Sequence, residues 1–116
     1  MNGKGILYFP DGKKSYEGDW LDNKMHGKGT LYFPDGKILY EGDFINDKKE
    51  GYGKFNYLDG PYYTGKWAKD KKNGKGIIYS EEGYILYDGE FEDDKKKGYG
   101  KYYYRMETIT LVMGWW

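Results

Sequence analysis

Cysteine is absent from this 116-residue chain, which excludes a disulfide framework and is compatible with any redox compartment. Neither sign of charge is in excess, with 19 basic against 19 acidic residues. No global field therefore draws the chain to nucleic acid or to an anionic bilayer. No run approaches the roughly 18 apolar residues of a membrane-spanning helix, and the opening MNGKGILYFPDG lacks the apolar segment of a signal peptide. A cytoplasmic protein, peripheral to a membrane at most, is the expectation. Aliphatic material is scarce too. Hydrophobic residues make up 38% of the chain and 15 of them are tyrosine, too little for a thick two-layer core. Such polarity would suit disorder, but 21% aromatic residues at regular positions argue against it.

What the chain has instead is a repeat, best seen in Tyr16 to Gly36, YEGDWLDNKMHGKGTLYFPDG. The opening tyrosine returns as Tyr40, Tyr63 and Tyr87, at intervals of 24, 23 and 24 residues. Gly18, Gly42, Gly65 and Gly89 follow two residues later, and the aromatics Trp20, Phe44, Trp67 and Phe91 two beyond those. Each unit then carries a Gly-x-Gly pair: Gly27/Gly29, Gly51/Gly53, Gly74/Gly76 and Gly98/Gly100. A fixed period of this length signals a repeat architecture and outranks any other feature here.

Each unit reads as two strands and two turns. Bulky or small residues alternate with charged ones along Tyr16–Trp20 and again along Gly27–Tyr32, the period-two pattern of a strand with one packed face. Leu21 to His26 between them reads as a polar hairpin loop, and Pro34-Asp35-Gly36 as a turn. Symmetric closure of that loop would set Trp20 opposite Gly27, Gly18 opposite Gly29 and Tyr16 opposite Leu31. The glycines then become seats for rings, because a ring laid across a strand glycine fills the hole it leaves. One face would carry Tyr16, Gly18, Trp20, Gly27, Gly29 and Leu31, and the other Glu17, Asp19, Lys28, Thr30 and Tyr32.

The pattern Y-E-G-D-W-x-x-x-K-x-H-G-K-G-T-L-Y-x-x-D-G resembles the MORN repeat, membrane occupation and recognition nexus, over nearly the whole chain. The resemblance implies an all-β fold: an elongated single-layer antiparallel sheet or solenoid of stacked hairpins. It also implies scaffolding, protein binding and sometimes attachment at membranes, without catalysis by the repeats.

Taken in order, a half unit (residues 2–15) precedes units 16–39, 40–62, 63–86 and 87–111, and a second half unit follows at 112–116. There Val112-Met113-Gly114-Trp115-Trp116 takes the place of Y-E-G-D-W. The second unit is the least regular: Asn56 stands where Tyr32 stood and one residue is missing at Gly60-Pro61, so a local bend or altered twist is expected. The third has Thr64 and Lys66 where its neighbours have acids. In the assumed register Lys66 opposes Lys75, whereas Asp19 opposes Lys28; like charges across strands are mildly unfavourable, tolerated at an exposed site or retained for an acidic partner. The half units present complementary edges that either cap their own neighbours, leaving a monomer, or join end to end.

Sites for chemistry are hard to find. His26 is the one histidine, reads as a turn residue and has no clustered partner, while Ser15 and Ser80 fall in turns. Glu17 and Asp19 recur as Glu41/Asp43 and Asp88/Glu90, and repetition makes them a surface stripe rather than an acid–base pair. The Gly-x-Gly pairs precede no helix that could hold a phosphate. Glu92-Asp93-Asp94 lacks the spacing of a calcium loop. Neither cofactor nor metal is expected. The leading expectation is a non-catalytic scaffold that binds a partner helix or extended peptide through a ridge of Tyr8, Tyr32, Tyr79 and Tyr103, unless those rings merely cover neighbouring units. The alternative is weak contact with anionic lipid through the lysines Lys48, Lys49, Lys69, Lys71, Lys72, Lys95, Lys96 and Lys97, which stacking would bring to one edge.

Overall fold

The computed structural model describes residues 2–105 and 110–113. The alternation of side chains resolves into strands alone among these residues: β1 Gly3–Tyr8, β2 Lys14–Leu21, β3 Lys24–Tyr32, β4 Ile38–Ile45, β5 Lys48–Asn56, β6 Tyr62–Ala68, β7 Lys71–Tyr79, β8 Ile85–Glu92, β9 Lys95–Arg105 and β10 Thr110–Met113. They form one open antiparallel sheet in sequence order, 49 × 27 × 17 Å across. Ladder contacts join only neighbours in the chain. Val112 lies opposite Tyr103 and Met113 opposite Tyr102, while Gly114, Trp115 and Trp116 of the second half unit lie outside the described residues.

The hairpin loop is shorter than the alternation suggests. Asp22 and Asn23 alone make the turn, with φ of 50° and 65°, and Leu21 pairs with Lys24. Asn46-Asp47, Lys69-Asp70 and Asp93-Asp94 repeat this double positive φ, the type I′ geometry whose twist matches the strands it joins. His26 is therefore in β3 and not in a turn, and Ser15 likewise belongs to β2.

The expected register holds for Tyr16 opposite Leu31 and Gly18 opposite Gly29, then shifts: Trp20 pairs with Met25, and Gly27 pairs with Phe44 of the next unit. The shift is a bulge, and it recurs after Gly42, Gly65 and Gly89. Asp19 consequently sits beside Lys4 of β1, and Lys66 beside Tyr52 of β5 rather than across from Lys75, whose cross-strand neighbour is Glu90. Gly27, Gly51, Gly74 and Gly98 take φ of 87°, 79°, 95° and 64°, the left-handed region that a bulge demands and side chains resist. They are bulge hinges, not ring seats: Asp19, Asp43 and Lys66 lie over the first three, and among the described residues no ring lies where a Cβ on the fourth would stand.

The second glycines are seats. Gly5, Gly18, Gly29, Gly42, Gly53, Gly65, Gly76, Gly89 and Gly100 pair in an unbroken row from β1 to β9. A Cβ added at Gly29, Gly53 or Gly76 would collide with the ring of Tyr16, Tyr40 or Tyr63. Those tyrosines and Tyr87 are at most 1% exposed, and each hydroxyl donates to the carbonyl three residues on, Asp19 (2.8 Å), Asp43 (2.9 Å), Lys66 (2.8 Å) and Glu90 (3.1 Å). Burial without a bond would cost about 1–3 kcal/mol for such a group.

The rings also pack on one another. Trp20, Tyr16, Phe44, Tyr40, Trp67, Tyr63, Phe91 and Tyr87 run edge to face in series, with centroids 5.1 to 5.5 Å apart and planes 77° to 90° apart. Each such pair adds about 0.5–1.5 kcal/mol beyond the area it buries. Among the described residues no second layer covers this spine; Met25, Leu31, Leu39, Phe55, Tyr57, Ile78 and Tyr102 close its flanks.

Successive hairpins are clipped through their turns. The Asp47 amide donates to the Met25 carbonyl (2.9 Å) while its carboxylate accepts from the Met25 amide (2.8 Å). Asp70 clips Lys49 (3.1 and 2.8 Å) and Asp94 clips Lys72 (3.0 and 2.8 Å) in the same way. At the opposite edge, 24-residue units carry a second bulge, as between Leu31 and Tyr32. The missing residue near Gly60-Pro61 removes that bulge, so Phe55–Tyr63 and Asn56–Tyr62 continue the ladder unshifted.

Two stability measurements follow. Gly29→Val should lower the unfolding free energy by about 1–3 kcal/mol through overlap with the Tyr16 ring, whereas Thr30→Val, on the opposite face, should be near neutral; equal losses in thermal melts would contradict the seating. Asp70→Ala should cost about 1 kcal/mol, with most of it restored by Asp70→Asn, whose amide oxygen can still accept from Lys49. Equal melting temperatures for Asp70→Ala and the unaltered chain would remove the clip.

Candidate functional site

Because side chains alternate, a sheet whose seated tyrosines all fall on one side commits the other to solvent. On the packed side, burial raises the hydroxyl pKa of Tyr16 and Tyr87 to about 12, with nearby acidic groups adding to the rise. Tyr40 and Tyr63 are raised for the same first reason. The Lys49 ammonium lies 5.2 Å from the Trp67 ring centroid and 5.7 Å from that of Tyr40. Lys72 lies over Tyr63 and Phe91 and donates to the Tyr57 hydroxyl at 2.6 Å; Lys96 lies over Tyr87 and Tyr102. These lysines stand where Met25 stands in the first unit, and their stems help to roof the spine.

The opposite face is polar and shallowly grooved along the glycine row. Its first half is charge-matched. Lys4 pairs with Asp19 at 2.8 Å, Lys28 with Asp43, and Lys14 with Glu17 at 3.0 Å. The Lys4 bond and the Lys28 amide hold the Asp19 carboxyl below its ordinary pKa, and Lys14 does the same for Glu17. Asp19 and Asp43 also accept from the amides of Lys28 (3.1 Å) and Tyr52 (3.0 Å), steadying the bulges beneath them.

Four tyrosines singled out by their recurrence are all on this face, in different settings. Tyr8 is 55% exposed. Tyr32 is half-buried and donates to Glu17 at 3.4 Å. Tyr79 is half-buried and stacks on Tyr62, centroids 4.9 Å apart, and Tyr103 is half-buried. The gap that Asn56 leaves is flanked by Tyr62, its cross-strand partner. Sequence recurrence missed Tyr62, which stands where Ser15, Leu39 and Leu86 stand in the other units, and also Tyr52, 60% exposed, whose position is lysine in two units and tyrosine again at Tyr99.

The loop lysines divide in two. Lys48, Lys71 and Lys95 are exposed where β5, β7 and β9 begin and line the turn edge, and Lys69 is exposed within its turn. Lys49, Lys72 and Lys96 turn onto the rings, and Lys97 pairs with Glu92 at 3.2 Å. The clip aspartates alternate with the exposed lysines. Their signal is an aspartate just before the lysine that opens β5, β7 and β9, which reads equally well as an ordinary solvated turn.

His26 is half-buried, and its Nδ1 is enclosed without a hydrogen-bond partner. Among the described residues no group of three or more His, Cys, Asp or Glu is placed to hold a metal ion, and no helix is long and apolar enough to cross a membrane.

A protein-family model, the MORN repeat, matches residues 1–14, 16–38, 40–61, 63–83 and 87–108. No curated protein matches the chain.

The buried hydroxyls make the packed face sensitive to alkali. In the unfolded chain a tyrosine ionises near its ordinary 10.0, whereas Tyr16 and Tyr87 keep their protons until about pH 12. The folded state is thus at full stability below pH 10 and loses it as pH rises through that interval, where only the unfolded chain has ionised. Melting temperature should fall steeply there, and tyrosinate absorbance should rise together with loss of β-sheet ellipticity. Full ionisation of every tyrosine near pH 10 with the sheet intact would show that the hydroxyls are not sealed.

Proposed function

Since the chain belongs to the MORN repeat family, whose repeats are of a non-catalytic type and generally serve as scaffolds for protein or membrane-lipid interaction, we propose that it is a non-catalytic scaffold that binds a partner protein on its polar face. Tyr8, Tyr32, Tyr79 and Tyr103 are the contact ridge in this reading, and a helix or extended peptide is the occupant. The observation that supports it is the asymmetry between faces: the seated tyrosines are at most 1% exposed and consumed by packing, while Tyr8 stays 55% exposed on the other side. Rings held on a rigid sheet offer contact area at small entropic cost.

A second reading, peripheral contact with anionic lipid, draws support from the exposed edge of Lys48, Lys71 and Lys95. Each lysine near a charged surface contributes about 1 kcal/mol, but Asp47, Asp70 and Asp94 in the same turns oppose it.

Affinity capture with the intact chain beside the Tyr32→Ala, Tyr79→Ala, Tyr103→Ala variant tests the first reading: a partner held by the chain and lost by the folded variant is expected. Retention of every partner by the variant would overturn it. Co-sedimentation with phosphatidylserine vesicles at low salt, abolished by Lys48→Gln, Lys71→Gln, Lys95→Gln, would favour the lipid edge instead.

A further inference from the structure

The second half of the polar face departs from the first. In β2 and β4 the position after the seat glycine is an aspartate, Asp19 or Asp43, ion-paired to a lysine of the preceding strand. In β6 that position is Lys66. Its neighbour across the ladder is Tyr52, with the ammonium 5.7 Å from the ring centroid, and its stem lies over Gly74. Lys54 on β5 lies 4.4 Å from the Tyr62 ring centroid, and Lys75 on β7 is exposed. Among the described residues none of these three has a carboxylate within ion-pair distance, although Glu41 and Glu90 are their neighbours in the ladder. Beside them lies a shallow depression of about 530 Å³, floored by Gly53, Gly65 and Gly76 and walled by Tyr52, Thr64, Lys75, Ile77 and Asp88.

From this we infer that β5 to β7 form a docking site for an extended acidic peptide segment, with carboxylates on alternate residues meeting Lys54 on one side of the glycine row and Lys66 and Lys75 on the other. The inference rests on the protein-scaffold reading and names its partner's chemistry. Alternate residues of an extended chain are about 7 Å apart on one face, the separation of two rows that flank a strand glycine. Tyr52 and Tyr62 supply flat apolar contact beside each charge, and a cation already lying over a ring keeps donors free for a carboxylate.

The borders of the patch select a narrow ligand. Glu41 and Asp43 on β4, and Asp88 and Glu90 on β8, bracket the lysines on both sides. Glu41 and Glu90 are the ladder partners of Lys54 and Lys75, and charges act over roughly 8–10 Å at physiological salt. A peptide one strand wide fits inside that bracket. A broad anionic bilayer would press on both acidic borders at once, so a membrane is the poorer occupant.

The test uses a labelled peptide, Gly-Glu-Val-Glu-Val-Glu-Gly, its Gln counterpart and the full chain, read by fluorescence anisotropy. Binding of the Glu peptide, weakening with salt and absent for the Gln peptide, is expected. Lys66→Asp should reduce affinity by about tenfold or more, because it replaces attraction by repulsion at a contact. That variant installs the residue found in β2 and β4, so its fold should survive, and an unchanged melting temperature verifies this. Lys28→Gln, on the matched half, should bind as the unaltered chain does. Equal binding by Lys66→Asp, equal binding of the Gln peptide, or no binding at all would overturn the inference. So would binding of phosphatidylserine vesicles that Lys66→Asp abolishes while the peptide stays free. A captured partner lost by the tyrosine variant but retained by Lys66→Asp would leave the scaffold reading standing and remove this one.

Discussion

The structure depends on the contact between a tyrosine ring and a glycine backbone. Because Gly29 has no Cβ, the Tyr16 ring lies directly on the strand, close enough that an added methyl group would overlap it. The ring then reaches its own strand's Asp19 carbonyl with its hydroxyl and presents an edge or a face to Trp20 and Phe44. A single open sheet can thereby bury large side chains almost completely. The strands supply one wall, the neighbouring rings supply the next two, and the hydroxyl, which burial would otherwise penalise, is bonded.

Everything else follows from stacking this contact at a fixed spacing. Rings of one unit pack against the aromatic of the next, so each hairpin completes the core of its neighbour, and ladder contacts join only neighbouring strands. Stability in such an array is close to a sum of unit and nearest-neighbour terms. The aspartate clips add to the junctions at the edge formed by the two-residue turns. The bulge at Gly27 and its equivalents absorbs the mismatch between a long second strand and a two-residue turn, and the carboxylates of Asp19 and Asp43 cap the amides it frees.

Because one face is spent on the core, departures from the repeat have different consequences on the two faces. On the polar face Lys66 stands in the place of aspartate with the Tyr52 ring beside it, and Lys54 lies over the Tyr62 ring. Departures on the packed face are absorbed differently. Lysine for methionine at positions 49, 72 and 96 keeps the apolar stem in place and lets the ammonium rest over the rings.

Period and alternation by themselves determined the all-β array, the seating of Tyr16 and its equivalents, and the pairing of Gly18 with Gly29, because these depend on residue type at short, repeated distances. The family could be read from the same residues. Only the tertiary structure decided the register beyond Gly18, since it turns on whether the chain reverses over two residues or six, and Asp22-Asn23 accept positive φ that polar composition alone does not announce. It likewise decided which glycine of each pair seats a ring, which lysines face solvent and which lie on the spine, and that Asp47, Asp70 and Asp94 bind the preceding unit rather than water. For the seats, the lysines and the clips the deciding partner lies on another strand or turn, from 13 residues away for Gly29 and Tyr16 to 22 for Met25 and Asp47, where local pattern carries no information about side-chain direction.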